Sequence, residues 1–112
     1  MKRGEIWWAS LEDPKGSEPG FRRPVVVISS NDFNSSKIKT VLVAVITSNI
    51  RLSDAPGNFE LSKKGSGLSR FSVVNISQLI TIDKLFLTDK VGKLTNKQVE
   101  LLNDGLKLVL SI

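Results

Sequence analysis

Apolar residues along this chain fall into short runs and alternations separated by turn-forming clusters, a pattern that predicts several strands and one closing helix. Glu5-Ile6-Trp7-Trp8-Ala9 is a brief aromatic, β-prone run. Val25-Val26-Val27-Ile28 and Val41 to Thr47 are apolar without alternation, as strands covered on both faces require. Pro24, which has no N–H for a ladder, is expected at the first residue of the strand it precedes. Phe59 to Leu61 and Phe86 to Gly92 predict two further short strands. Between them, Phe71 to Ile82 alternates: Val74, Ile76, Ile80 and Ile82 share one expected face with Gln78 among them, and Val73, Asn75, Ser77 and Leu79 take the other.

The last element is the best marked. Thr95 with Gln98 three residues on is a capping box, and Val99, Leu102, Leu106 and Val109 recur at helical spacing as the face that should pack on the sheet. Leu101, Leu108 and Ile112 are left for that packing or for a partner surface. Gly105 weakens this helix unless close packing needs its missing side chain. A short helix is expected between Ser29 and Thr40, capped by Asn31 or Asp32. Asp13 to Gly20 holds two prolines and two glycines and predicts a loop, as does Ser48 to Asn58; Lys63 to Gly67 predicts a turn. With no repeat and no linker, residues 1–112 are read as one mainly β, barrel-like domain with a C-terminal helix.

Composition narrows the chemistry. The chain has neither cysteine nor histidine nor tyrosine, which removes disulfides, thiol nucleophiles, imidazole acid–base pairs and the common zinc ligand sets. No close D-x-D or D-x-N array suggests a magnesium site, so no metal and no cofactor is expected. The net charge of +5 favours an anionic partner such as nucleic acid or an acidic peptide, and suits an ordinary basic surface equally well. The longest apolar run, Val41 to Ile46, is far too short to span a membrane, and the N-terminus lacks a signal-peptide core, so a cytoplasmic protein is expected.

Chemistry is then expected on the loops around the two apolar strands. Arg23 stands at the entrance of the first and Thr47 at the exit of the second. If those strands are antiparallel neighbours, the two residues meet. Taken alone, Arg22-Arg23 also reads as a solvated charge pair and Thr47 as the polar end of a strand.

Arg3-Gly4-Glu5-Ile6-Trp7-Trp8, followed by Gly16-Ser17-Glu18-Pro19-Gly20-Phe21-Arg22-Arg23-Pro24-Val25-Val26-Val27-Ile28, resembles the opening of the MazF/PemK endoribonuclease toxins of type II toxin–antitoxin systems. The resemblance continues through Val43 to Thr47, Val73 to Leu79 and Ile82-Asp83-Lys84 into the terminal helix, nearly the whole chain. It implies an SH3-like β-barrel with a C-terminal helix, a homodimer, and metal-independent cleavage of single-stranded RNA at short motifs. It further implies a cognate antitoxin whose acidic, flexible segment covers the RNA-binding surface. Carried onto this sequence, it makes Arg23 and Thr47 the catalytic pair; beside them, Glu18 reads as an assistant or equally as a loop brace or simple solvated charge.

RNA contacts are then expected from Gly20, Phe21, Arg22, Ser48, Asn49, Arg51 and Gln78. Gln78 reads equally as a partner in a buried polar network, Trp8 as core before stacking platform, and Lys63 and Lys64 as a general attraction for RNA. The loop departs from the family at Phe21 and Arg22, positions usually small or variable, which bears on the RNA motif more than on the reaction. Two other readings keep the same barrel: a CcdB-like toxin that binds DNA gyrase without catalysis, and an RNA-binding barrel that has lost cleavage.

Overall fold

The computed structural model describes residues 1–12 and 21–112, with the side chains of Glu12 and Phe21 excepted. The expected loop at 13–20, and with it Glu18 and Gly20, lies outside the described residues, as does the Phe21 side chain.

Six strands form one curled antiparallel sheet: β1 (Glu5–Glu12), β2 (Phe21–Val27), β3 (Thr40–Thr47), β4 (Phe59–Leu61), β5 (Ser72–Asp83) and β6 (Leu87–Lys93), in the spatial order β4-β5-β3-β2-β1-β6. Among the described residues two α-helices accompany it, α1 (Asn31–Ser35) and the C-terminal α2 (Asn96–Leu110). The mainly β half-barrel with a terminal helix, and a short helix after β2, matches the architecture expected from the pattern. No ladder joins edge strands β4 and β6 among the described residues. The chain after β4 closes that side instead, because Ser66 and Gly67 lie against Val91 and Gly92 so tightly that a methyl group on either glycine would overlap the opposite backbone.

Curling explains the unbroken apolar runs. Val26, Ala44 and Ile46 join a core with Ile6, Phe59, Leu61, Val74, Ile76 and Leu102, while Val25, Val27, Val41 and Val43 join a second core with Ala9, Ile82 and Leu87. Neighbouring residues of β2 and β3 therefore bury alternately into two cores, so both faces must be apolar.

Several local expectations change. Pro24 lies inside β2, opposite Trp8 of β1, and is not its first residue. The β2–β3 ladder begins only at Val25, so Pro24 has a laddered neighbour on one side. The single apolar face expected for β5 is broken by a register shift: Val45 pairs with Asn75, yet Ala44 pairs with Leu79. Three extra residues, an odd number, turn the strand over. Val74 and Ile76 accordingly join the first core, whereas Ile80 and Ile82 belong with the second. Ser30, rather than Asn31 or Asp32, caps α1, its hydroxyl accepting from the Phe33 N–H at 3.1 Å. Part of the loop after β3 is a 3-10 turn, Ile50–Asp54.

Helix α2 begins as its sequence requires. The Thr95 hydroxyl accepts from the Gln98 N–H at 3.2 Å, and the Gln98 side chain accepts from the Thr95 N–H at 2.9 Å. Leu102 is fully buried, with Val99 and Leu106 packed beside it. Val109 does not complete that buried face, being 42% exposed; Leu101, Leu108 and Ile112 are also exposed and take no part in the core. The element that fits tightly in the last turns is Gly105, where a methyl group would overlap the Gly57 carbonyl. Arg3 ties the N-terminus to this helix, donating from Nε to the Ile28 carbonyl and from Nη2 to Asn103 Oδ1, both at 2.8 Å.

Candidate functional site

The strand ends meet as their pattern predicts. β2 and β3 pair antiparallel through Val25 and Val45, Val26 and Ala44, and Val27 and Val43. Continued by two residues, this register sets Arg23 opposite Thr47, on one face of the sheet. Thr47 is buried and pairs with Val73 of β5 on its other side. Its hydroxyl oxygen accepts from the Asn49 N–H at 3.1 Å, which fixes the rotamer and leaves the proton to donate. Arg23 is half-buried.

A cleft of about 460 Å³ opens at the same strand ends, lined by Trp8, Arg22, Arg23, Pro24, Ile46, Ser48, Leu68, Ser69, Arg70 and Ser72. Thr47 is not among its walls. Alternation gives the reason: Trp8, Pro24, Ile46 and Ser48 lie on the sheet face opposite to the Thr47 side chain. The cleft and the Arg23–Thr47 pair thus occupy two sides of one rim, with Arg23 common to both.

Electrostatics differ around this rim. Arg22 is held by two contacts, an ion pair with Asp89 at 3.0 Å and a position 5.0 Å over the Trp8 ring. Trp8 belongs to neither core cluster; it is half-buried and forms a cleft wall, while Trp7 is the tryptophan packed against a core. The core reading of Trp8 is therefore corrected. On the other side of β1, the Trp7 indole N–H donates to Glu5 at 3.1 Å, and Lys90 lies 2.9 Å from the same carboxylate. Burial opposes the charge on Glu5, but Lys90, the Lys2 backbone N–H and the Trp7 indole together outweigh it, and the pKa falls from 4.5 to about 2.

The remaining sequence candidates separate. Ser48 lines the cleft, and Asn49 and Arg51 do not. The Asn49 side-chain oxygen Oδ1 caps the 3-10 turn by accepting from the Arg51 N–H at 3.2 Å. Gln78 is exposed in the extra segment of β5, and accepts from buried Asn75 at 3.2 Å; Asn75 in turn accepts from Asn58 and Ser77. Gln78 therefore ends a polar network outside the cleft. Sequence reasoning missed Ser69, Arg70 and Ser72 altogether. The available signal was an arginine immediately before a strand, the same placement that singled out Arg22 and Arg23. Among the described residues, no group of three or more His, Cys, Asp or Glu side chains could hold a metal ion. No helix among them is long and apolar enough to cross a membrane.

A family model described as PemK-like, MazF-like toxin of type II toxin-antitoxin system matches residues 2–110. The chain is 44% identical over 112 residues to Endoribonuclease MazF6 of Mycobacterium tuberculosis, covering 100% of this chain and 98% of that relative. It is 37% identical to Endoribonuclease EndoA of Bacillus subtilis, again over 112 residues, with 100% and 96% covered. Among solved structures, the M. tuberculosis toxin MazF-mt6 superposes with a TM-score of 0.79 at 22% identity, over 96% of this chain and 97% of that one. A MazE–MazF structure from Deinococcus radiodurans gives 0.78 at 19% identity, over 100% and 96%. At these identities the structural likeness establishes the fold.

Proposed function

This chain belongs to the PemK-like, MazF-like toxins of type II toxin–antitoxin systems, and from that membership we propose that it is an endoribonuclease toxin cutting single-stranded RNA at short motifs without a metal ion. The substrate's own 2′-hydroxyl attacks the adjacent phosphorus, a P–O bond forms, and the 5′-oxygen leaves. The products are a 2′,3′-cyclic phosphate and a 5′-hydroxyl end. Such a reaction needs the nucleophile held in line and charge on the phosphorane oxygens stabilised.

The observation that carries this reading is the antiparallel β2–β3 ladder through Val25 and Val45, whose register, continued by two residues, sets Arg23 opposite Thr47. The Arg23 guanidinium presents a fixed fork of donors to the phosphorane oxygens. The Thr47 hydroxyl, oriented by the Asn49 N–H, donates to a phosphate oxygen or to the leaving oxygen. Glu18, outside the described residues, assists proton transfer or braces its loop. Gly20, Phe21, Arg22, Ser48, Asn49, Arg51 and Gln78 contact the RNA strand on either side.

The reading includes a homodimer, supported by Leu101, Leu108 and Ile112 exposed on and after α2, and a cytoplasmic location. It also includes a cognate antitoxin whose acidic flexible segment competes for the arginines. In its favour, a structural neighbour is an endoribonuclease in complex with its cognate antitoxin. Relatives named as endoribonucleases over the full chain favour RNA cleavage above gyrase binding. Incubation with end-labelled single-stranded RNA in excess EDTA tests the proposal. Fragments ending in cyclic phosphate are expected; intact RNA together with inhibited DNA supercoiling would sink it.

A further inference from the structure

The cleft behind the strand ends is equipped in a way the Arg23–Thr47 pair does not use. Of the arginines lining it, Arg22 is engaged by Asp89 and Trp8, and Arg23 is shared with the opposite face. Arg70 is different. It is exposed, and its side chain has no hydrogen bond or ion pair among the described residues.

Its backbone, by contrast, is anchored closely on both sides. Leu68 is buried in the first core, and Gly67, at φ +81°, is pressed against the Val91 backbone. Ser72 is buried at the start of β5, and its hydroxyl donates to the Arg70 carbonyl at 3.0 Å. Only Ser69, Arg70 and Phe71 overhang between these anchors. A cation displayed on a short, doubly pinned overhang loses little entropy when an anion arrives. Because Thr47 pairs with Val73, this overhang leaves the sheet immediately beside the rim. Trp8 and the guanidinium lying on its ring line the same cleft.

We infer that this cleft is a nucleotide subsite of the RNA strand, in which Arg70 binds a phosphate next to the one being cut and the Trp8–Arg22 wall receives a base. This deepens the proposed nuclease function and rests on it for the identity of the strand. A volume of about 460 Å³ with serine hydroxyls, guanidinium groups and one indole suits a nucleotide. Base stacking on aromatic and guanidinium planes tolerates many sequences, so the subsite contributes grip more than motif choice.

The test separates grip from cutting. A short random-sequence single-stranded RNA made with 2′-fluoro sugars cannot be cleaved, and its binding is followed by fluorescence anisotropy over a series of KCl concentrations. For Arg70→Gln the dissociation constant should rise about tenfold, and the slope of log K against log salt should fall by about 0.7, the loss of one phosphate contact to a single strand. Arg70→Lys should restore the slope. Lys107→Gln on α2, which removes the same charge elsewhere, should leave affinity within about twofold.

An unchanged slope in Arg70→Gln, an equal loss in Lys107→Gln, or a wild-type protein that does not bind the 2′-fluoro RNA overturns the inference. Unmodified RNA run in parallel keeps the two readings apart. If the wild type cuts it and Arg70→Gln binds normally, the subsite is wrong and the nuclease stands. If the wild type cuts nothing while Arg70→Gln loses the slope, the subsite stands without the nuclease. The Arg70 side chain is exposed and makes no hydrogen bond or ion pair among the described residues, and its carbonyl is kept in every variant, so all variants should melt like the wild type.

Discussion

Along the seam between α2 and the turn before β4, Gly105 and Gly57 stand backbone against backbone, with no space for one methyl group. At the strand ends, arginines face a cleft of about 460 Å³ and Thr47 keeps a proton to donate. The two regions divide the work of a small chain. The seam holds a helix to the sheet by excluding side chains, whereas the rim gathers arginines around an open cleft. A change at the seam should therefore move stability and leave chemistry alone, and a change at the rim should do the reverse.

The sharpest break in that contrast is Arg23→Ala. Loss of a preorganised donor to a developing oxyanion costs about 3–4 kcal/mol of transition-state stabilisation, so kcat/KM on RNA should drop roughly a hundred- to a thousandfold. The melting temperature should be nearly unchanged, and a folded variant that cuts normally would remove Arg23 from the mechanism.

Gly105→Ala follows. Helix propensity alone favours alanine by about 1 kcal/mol, but the overlap with the Gly57 carbonyl should reverse the sign and destabilise by about 1–3 kcal/mol. Urea unfolding measures this directly, and a stabilised variant would show that the seam can relax. Thr95→Ala removes the hydroxyl that receives the Gln98 N–H and should cost about 1 kcal/mol, with cleavage unaffected.

The smallest change comes from pH. The Glu5 carboxyl is at about 2 in the folded chain against an ordinary 4.5. A depressed acid contributes stability that is complete above the unfolded value and disappears as pH falls through the folded one. This group should therefore contribute no pH dependence in the neutral range and a progressive loss between about 4.5 and about 2. Glu5→Gln should flatten the acid limb of a series of unfolding curves, and an equally steep limb in that variant would assign the loss to other carboxylates.

Much of the molecule was legible before any coordinates, for identifiable reasons. Thr95 and Gln98 mark the start of α2 because a capping box is a contact between residues three apart. Unbroken valines in β2 and β3 announce burial on both faces, and their antiparallel pairing brings together the strand ends that carry Arg23 and Thr47, because a strand's ends follow from its direction. The candidate pair therefore needed only the right neighbours in the sheet. Gly105 was ambiguous, since a glycine in a helix reports neither a flaw nor a fit until its neighbour is known.

By itself, then, the amino-acid order determined where the terminal helix starts, which residues are apolar enough to be buried, and which polar side chains stand at the ends of the apolar strands. All of these depend on neighbours a few positions away. Tertiary structure alone decided that β5 turns over between Asn75 and Leu79, sending Val74 and Ile82 into different cores. It alone moved Trp8 from core to cleft wall and brought Arg70 to line the same cleft. Those outcomes depend on pairing register and sheet curl, which join residues far apart in the chain and leave no trace in local periodicity.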